Sequence, residues 1–228
     1  MPPYIGKIAL FGFAVIIFGL TCFADDVSRP GASTNDENPE SWTAPNKKFS
    51  ISTAPSANQE RYRGLLKVEL RDAKNRLLDS YDPETRAIEV FWSPDSRYVA
   101  INEDIAHCCG NLSVWLTTHG KFEKVDLPEA IRSKGNTPAI DRLIPAKDAK
   151  QLIIAWHGAV DAWAGKWRSD SDLEVSVDGG ANLHSLDPTS SKEIGWLEVE
   201  YRFVIRCSEH NAEVIGKEKI KYEKQLYH

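Results

Sequence analysis

Alternating apolar and polar residues recur along most of this chain, in short segments separated by turn-forming residues. Leu66, Val68 and Leu70 form one apolar face, with polar residues between them. Residues 198–205 repeat this spacing near the end of the chain, and a period of two residues indicates strands with one buried face. Clusters of Asp, Pro, Asn and Ser between the segments are typical of tight turns. The pattern predicts an antiparallel β structure.

The same pattern extends through the rest of the chain. Other strand candidates are 76–80, 87–92 and 98–101, followed by a hairpin of 198–205 and 212–222. Only two segments favour short helices, Leu127–Arg132 and Ser190–Ile194. We therefore predict a mainly β fold in which antiparallel meanders pack as a sandwich or an open, propeller-like assembly with few short helices.

The segment Phe91–Ile101 contains the strongest turn signal. Pro94 presets φ for the first central position of a turn, and the side chains of Asp95 and Ser96 can bond the neighbouring backbone. The run Ser-Pro-Asp-Ser-Arg-Tyr-Val-Ala at 93–100 resembles the Ser-Pro-Asp-Gly-Lys/Arg phrase in blades of WD-type and TolB-type β-propellers. Ser96 stands where those families usually have glycine. The resemblance is confined to this segment, and it implies a blade-like sheet and no active-site residue.

A propeller requires repeated blades, and the chain contains one faint repeat. Asp148–Ile154 aligns with Asp95–Ile101, an offset of 53 residues, and Leu173–Val177 aligns with Leu112–Leu116. The alignment leaves an inserted loop at 156–171. At least four blades of about 40 residues are needed to close a ring, and the part expected to fold is barely that long. We therefore predict two or three meanders in an open arrangement.

The first residues of the chain predict export. Met1–Lys7 carries one positive charge, Ile8–Leu20 is an unbroken apolar run, and small residues precede Asp25. We interpret residues 1–24 as a cleaved signal peptide. The alternative is a retained membrane anchor, but thirteen apolar residues are short for a span of about 20. The mature protein is then expected to be secreted or periplasmic and to meet the membrane only through this segment.

Composition divides the remainder into two parts. Residues 25–48 are rich in Asp, Asn, Ser, Pro and Gly, and Trp42 is their only large apolar residue. Such a segment buries too little surface to order itself, so we predict a flexible leader followed by a single β-rich domain at 49–228. The chain contains 28 Lys and Arg and 33 Asp and Glu, a formal charge of −5. Its cations form no basic stripe, which argues against a nucleic-acid partner.

Thiols and imidazoles occur in two clusters: His107, Cys108 and Cys109 between two predicted strands, and Cys207 and His210 near the end of the chain. In an oxidising compartment, we expect Cys207 to form a disulfide with either Cys108 or Cys109. The alternatives are a soft-metal site for zinc or copper built from all five residues, or free thiols. No cofactor is implied.

The inserted loop is dense in side chains that suit binding. The candidate ligand-binding residues are Trp156, His157, Asp161, Trp163, Trp167 and Arg168. Indole faces suit sugar rings and apolar ligands, while Asp and Arg can fix a ligand's orientation. A structural alternative stays open, because Trp163 and Trp167 are four residues apart and could form the apolar face of a short helix.

No catalytic signature is present: the chain lacks Gly-x-Ser-x-Gly, His-Glu-x-x-His, a phosphate-binding loop and a dinucleotide fingerprint. We therefore predict an exported, non-catalytic binding or structural protein of the cell envelope, with a glycan or an envelope protein as its partner. Two alternatives stay open. One is an envelope hydrolase acting on polysaccharide or peptide through carboxylates near 156–168, and the other is a soft-metal binding or thiol redox protein.

Overall fold

Twelve strands form the regular structure of the described residues, 40–57, 64–104, 110–131, 152–185 and 192–227 of the computed structural model. Sheet 1 contains β1 (Ser41–Thr43), β2 (Phe49–Pro55), β3 (Leu66–Asp72) and β4 (Leu77–Thr85). Sheet 2 contains β5 (Ala87–Trp92), β6 (Tyr98–Asp104), β7 (Gly110–Thr118) and β8 (Lys121–Lys124). Sheet 3 contains β9 (Leu152–Trp167), β10 (Asp172–Ser185), β11 (Glu193–Ser208) and β12 (Asn211–Leu226). Each sheet is an antiparallel meander in chain order.

These sheets confirm the predicted mainly β fold built from antiparallel meanders. The two helix predictions are wrong where the structure describes them. Residues 127–131 form a turn in which the Ile131 N–H bonds the Pro128 carbonyl at 2.9 Å, and residues 193 and 194 begin β11. Both segments are too short to nucleate a helix without strong capping. Within the described ranges, no helix has the length and the apolar character needed to span a membrane.

Sheet 2 lies between the other two sheets because both of its faces are apolar. Neighbouring residues of β6 point to opposite faces, so Val99 and Ile101 pack against sheet 1, whereas Tyr98 and Ala100 pack against sheet 3. The first core joins Ile51, Val68, Leu70, Ile88, Val99 and Ile101. The second core is larger, because the long strands of sheet 3 contribute most of its side chains. Each core therefore requires two sheets.

Ordered structure begins before the predicted boundary at residue 49. Trp42 in β1 lies opposite Ile51 in β2, and the Trp42 carbonyl accepts a hydrogen bond of 3.0 Å from the indole N–H of Trp92. Composition missed β1 because its order depends on these contacts with sheets 1 and 2 rather than on its own apolar content. All described residues belong to one unit, Gly31–His228.

The turns that follow β1 and β5 have the same backbone geometry. In Ala44–Phe49 and in Ser93–Tyr98, the first N–H bonds the sixth carbonyl at 2.9 Å. In both turns the side chain of the third residue accepts a hydrogen bond from the backbone N–H of the fifth residue. The fourth residue has a positive φ, 58° at Lys47 and 64° at Ser96.

The predicted alignment of Asp148–Ile154 with Asp95–Ile101 pairs strands that are not equivalent, since β9 is the first strand of its sheet and β6 is the second.

Candidate functional site

Residues 152–167 form β9, so the prediction of an inserted loop here is wrong. Ala162 and Ala164 are buried against sheet 2, and their small side chains let the strand approach closely. Asn102 of β6 holds this position: its Oδ1 accepts the Ala164 N–H at 2.7 Å, and its Nδ2 donates to the Ala164 carbonyl at 3.2 Å. The many small residues of this segment give little strand propensity, which is why the pattern suggested a loop.

A register shift places Trp163 and Trp167 on different faces of sheet 3. The shift lies between Leu173 and Val175 of the partner strand, so Trp167 lies opposite Leu173 in the core and Trp163 lies opposite Ser176 on the other face. The helix alternative for this pair is therefore also wrong. The Trp167 indole stacks on Tyr98 with ring centroids 5.9 Å apart, and its N–H donates to the Phe91 carbonyl at 2.8 Å. Trp167 is thus a structural residue.

The other candidate residues are distributed along and beyond β9. In the register with β10, Trp156 lies opposite Ala181 and His157 opposite Gly180. Arg168 is exposed after the end of the strand, where its Nη2 lies 2.6 Å from Glu174 Oε2. This hydrogen bond is the main reason that the pKa of Glu174 is lowered. Of the candidate residues whose side chains are described, only Asp161 and Trp163 lie on the face of sheet 3 opposite to its core, here called the outer face.

Three carboxylates lie in direct register on this outer face. Asp178 of β10 pairs with Asp161 of β9 on one side and with Glu200 of β11 on the other. Residues directly opposite in antiparallel strands have Cβ atoms about 5 Å apart. Glu198 lies two residues from Glu200 and shares its face. We call Asp161, Asp178, Glu198 and Glu200 the acidic row.

Charge repulsion and partial burial perturb the acidic row. Burial raises the pKa of Asp178 to about 6, and the charges of Asp161, Glu200 and Glu198 add to the rise. Burial also raises the pKa of Asp161, although the Gly110 N–H bonds its Oδ1 at 2.6 Å and opposes the rise. One ion pair among the described residues involves the row: Lys221, which is directly opposite Glu200 in β12, places its Nζ 2.8 Å from Glu198 Oε2. Asp178 is therefore the member most ready to take a proton near neutral pH.

The β9 end of the row meets the start of β7 at Gly110. A Cβ atom at this position would lie 2.1 Å from an indole carbon of Trp163, so only glycine leaves room for the ring. The Trp163 indole therefore flanks the acidic row. The sequence identified Asp161 and Trp163 as candidates, but it gave no signal for Asp178, Glu198 and Glu200, which only strand register brings beside them.

Most residues of the predicted disulfide and metal site lie outside the described part of the chain, namely His107, Cys108 and Cys109. Cys207 is 3% exposed between sheets 2 and 3, and burial raises the pKa of its thiol to about 12. Such a thiol stays protonated near neutral pH. No group of three or more potential metal ligands occurs within the described part of the chain.

The position of Cys207 also bears on the predicted disulfide. The nearby Glu209 N–H bonds the Tyr98 hydroxyl at 3.0 Å, at the start of β6, whereas Gly110 pairs with Asp104 at its end. These two ends of β6 are about 20 Å apart at the usual strand rise, and a disulfide requires Cα atoms within about 7 Å. The pairing with Cys108 or Cys109 stays a prediction, because both residues lie outside the described part of the chain.

A second buried carboxyl lies between sheets 1 and 2. The Tyr81 hydroxyl donates to Glu103 at 3.0 Å and the Asn111 amide donates at 2.7 Å. Burial raises the pKa of both Glu103 and Tyr81. The ring of Trp115 packs on Tyr81 with centroids 4.6 Å apart. Because the protein itself supplies the donors to Glu103, this carboxyl is a satisfied structural group.

Comparison with known proteins leaves the family open. No family model matches the chain, and no curated protein matches it significantly. Among solved structures, the chain is similar to an acylaminoacyl peptidase in complex with Z-Gly-Gly-Phe-chloromethyl ketone, with 12% identity, a TM-score of 0.39, and coverage of 83% of this chain and 25% of that chain.

Two further solved structures are similar at the same low level. A complex of KlAtg21 with the coiled coil of AgAtg16 has 11% identity, a TM-score of 0.32, and coverage of 76% and 55%. The β-propeller domain of Myceliophteria thermophila Cps50 (Swd1) has 11% identity, a TM-score of 0.25, and coverage of 83% and 75%. The chain thus spans a quarter of the peptidase and about half of the second protein. At these values the similarity carries no functional argument.

Proposed function

We propose that this protein is an exported, non-catalytic binding protein of the cell envelope, and that the acidic row contacts a positively charged segment of another envelope protein. The observation that carries the proposal is the direct register of Asp161, Asp178 and Glu200. Like charges placed directly opposite destabilise a sheet. The acidic row therefore lowers the stability of the sheet, and a cationic side chain inserted among its members would relieve the repulsion.

The surroundings of the row favour an organic cation as the ligand. Trp163 flanks the row, and an indole face attracts ammonium and guanidinium groups. A glycan platform is less well supported, because Trp167 is packed on Tyr98 and its N–H is already bonded. A Lys- or Arg-containing peptide segment fits both the charge and the ring. Export is inferred from residues 1–24, and the envelope location of the partner follows from it.

The proposal can be tested with a peptide of ten lysines as the probe, measured by titration calorimetry at two salt concentrations. The test variant combines Asp178→Asn with Glu200→Gln, and the control combines Asp170→Asn with Glu213→Gln, which removes the same charge elsewhere. We expect the dissociation constant to rise about tenfold or more in the test variant and less than about twofold in the control. Equal losses in both variants would show that only net charge matters and would contradict the proposal.

A second candidate function is an envelope polysaccharide hydrolase. The observation that favours it is the pair Asp161 and Asp178, whose carboxyls share one face in direct register, with the pKa of Asp178 raised to about 6. Paired carboxyls about 5 Å apart serve retaining glycosidases, in which one acts as acid and the other as nucleophile. Release of reducing ends from soluble polysaccharides, lost in Asp178→Asn and kept in Asp170→Asn, would favour this function over simple binding.

A further inference from the structure

Four turns lie side by side at one end of sheets 1 and 2. With the strand ends that adjoin them, they cover 44–48, 72–78, 93–97 and 118–121, and we call this surface the basic end. The first and third are joined by a hydrogen bond of 3.0 Å from the Asn46 N–H to Ser96 Oγ. The third and fourth are joined where the Thr117 N–H bonds the Arg97 carbonyl at 2.8 Å. Cations that are scattered along the sequence therefore meet at one surface.

The basic end differs in charge from the rest of the chain. It contains six exposed cations, Lys47, Lys48, Lys74, Arg76, Arg97 and Lys121, and two aspartates, for a formal charge of +4 in a chain of −5. Arg76 forms an ion pair with Asp72 at 2.6 Å. Within the described ranges, no carboxylate forms an ion pair with any of the four lysines. Most of this positive charge is thus available to an external anion.

Exposed leucines lie within the same surface. Leu77 is 50% exposed and Leu78 is 37% exposed, and the two leucines directly follow Arg76. Leu78 Cδ1 lies 3.1 Å from the position that a Cβ atom of Gly120 would occupy, so the leucines adjoin the turn that carries Lys121. The basic end therefore combines a cationic surface with a small apolar projection.

We propose that the basic end docks on the surface of an anionic lipid bilayer. Each cation close to such a surface contributes about 1 kcal/mol, equivalent to about fivefold in affinity, and Leu77 and Leu78 can enter the boundary between headgroups and acyl chains. A nucleic acid would match the charge but would leave the leucines without a role. This contact is additional to any contact made by residues 1–24 and separate from the acidic row, which lies on sheet 3.

Vesicle flotation tests the docking surface directly. The samples are vesicles of phosphatidylcholine alone and vesicles in which about one-third of the lipid is phosphatidylglycerol. The full chain is compared with Lys48→Glu/Lys74→Glu and with a matched control, Lys192→Glu/Lys219→Glu, which has the same net charge. Every protein keeps residues 1–24, so their membrane affinity is common to all samples. A third variant, Leu77→Ser/Leu78→Ser, tests the apolar contribution.

The expected result is stronger binding to anionic than to neutral vesicles, reduced about tenfold or more in the Lys48/Lys74 variant and little changed in its control. The leucine variant should also bind less tightly at the same charge. No preference for anionic vesicles, or equal losses in the two lysine variants, would overturn the proposal. Binding to a DNA duplex that is as tight as binding to vesicles, with no effect of the leucine variant, would assign the surface to nucleic acid instead.

Discussion

The carboxylate of Asp178 lies between two others, and its ionisation should lower the stability of the fold. Its pKa is about 6 in the folded chain and 3.8 as its ordinary value, so the folded state binds the proton more tightly. Stability should therefore fall as pH rises from about 4 to 6 and stay level above that. Asp178→Asn should stabilise the protein at pH 7 by about 1 kcal/mol, after allowance for screening at a partly exposed side chain.

Urea denaturation from pH 4 to pH 8 measures this effect. The natural chain should lose stability across the interval from pH 4 to pH 6, and Asp178→Asn should show a shallower dependence there. Asp170→Asn removes an exposed carboxylate outside the row and should leave the profile unchanged. A profile for Asp178→Asn that parallels the natural one would show that the row exerts no net repulsion on the folded state.

At position 110, the neighbouring Trp163 indole leaves room only for glycine. Since a Cβ atom there would lie 2.1 Å from the Trp163 indole, Gly110→Ala must displace the ring, and we expect a loss of about 1–3 kcal/mol in unfolding free energy. Chemical denaturation measures the loss. In the double variant Gly110→Ala/Trp163→Ala, the alanine at 110 should cost much less. Equal costs in the two backgrounds would show that the indole is not the obstacle.

At the scale of elements, each seam between neighbouring sheets, as far as the structure describes it, contains an indole hydrogen bond. The Trp92 N–H donates from the last residue of β5 to the Trp42 carbonyl of sheet 1, and the Trp167 N–H donates from the last residue of β9 to the Phe91 carbonyl of sheet 2. In both cases the first strand of one sheet is tied to the first strand of the sheet before it. The seams are therefore built alike, which the sequence alone did not reveal.

The indole bonds predict matched losses of stability. Trp92→Phe and Trp167→Phe each keep most of the apolar volume but leave a carbonyl at the seam without its donor, so each should cost about 1–2 kcal/mol. Trp196→Phe is the comparison, because its N–H bonds the side chain of Gln225 at an exposed position and should cost less than about 0.5 kcal/mol. Thermal denaturation of the three variants would contradict this account if Trp196→Phe were as costly as the others.

Strand prediction succeeded where alternation, turn chemistry and β-branched residues agree, as in β3, β6 and the turn 93–97. It failed in β9, where alanine and glycine dilute the signal and register shifts interrupt the period of two. It also failed in β1, which is ordered by the contacts of Trp42 with other strands. In both failures the deciding contacts come from another element, so no local pattern contains them.

The open edge of sheet 3 is protected against pairing with other chains. β12 has one described partner strand, β11, and two register shifts interrupt their pairing. Lys217, Lys219, Lys221 and Lys224 follow one another along this strand. Bulges and lysines on an edge strand both oppose further strand addition. We therefore place the proposed partner contact on the outer face of sheet 3 and not on its edge.

At the scale of the whole molecule, charge is segregated although the sequence mixes it. Strand register gathers the acidic row on sheet 3, and neighbouring turns gather the cations of the basic end on sheets 1 and 2. The sequence predicted Asp161 as a site residue because aromatic residues surround it. It could not predict Asp178 or Glu200, because their proximity depends on which strands become neighbours and at which residue they pair.

The two cores also determine how the molecule unfolds. Neither outer sheet has a core of its own, since one core lies between sheets 1 and 2 and the other between sheets 2 and 3. We therefore expect one cooperative unfolding transition, with circular dichroism and Trp fluorescence giving the same midpoint. Removal of sheet 3 should uncover the face of sheet 2 that carries Tyr98, Val114 and Leu116.

A chain that ends at residue 131 tests this dependence. It keeps sheets 1 and 2 and their shared core, but the uncovered apolar face should bind a hydrophobic dye and promote aggregation. The midpoint of unfolding of the remaining sheets should fall well below that of the complete chain, because Ala100, Val114 and Leu116 lose the side chains that bury them. If the shortened chain were soluble, bound no dye and kept the original midpoint, sheets 1 and 2 would be an independent folding unit, and sheet 3 would be an addition to it rather than a part of its core.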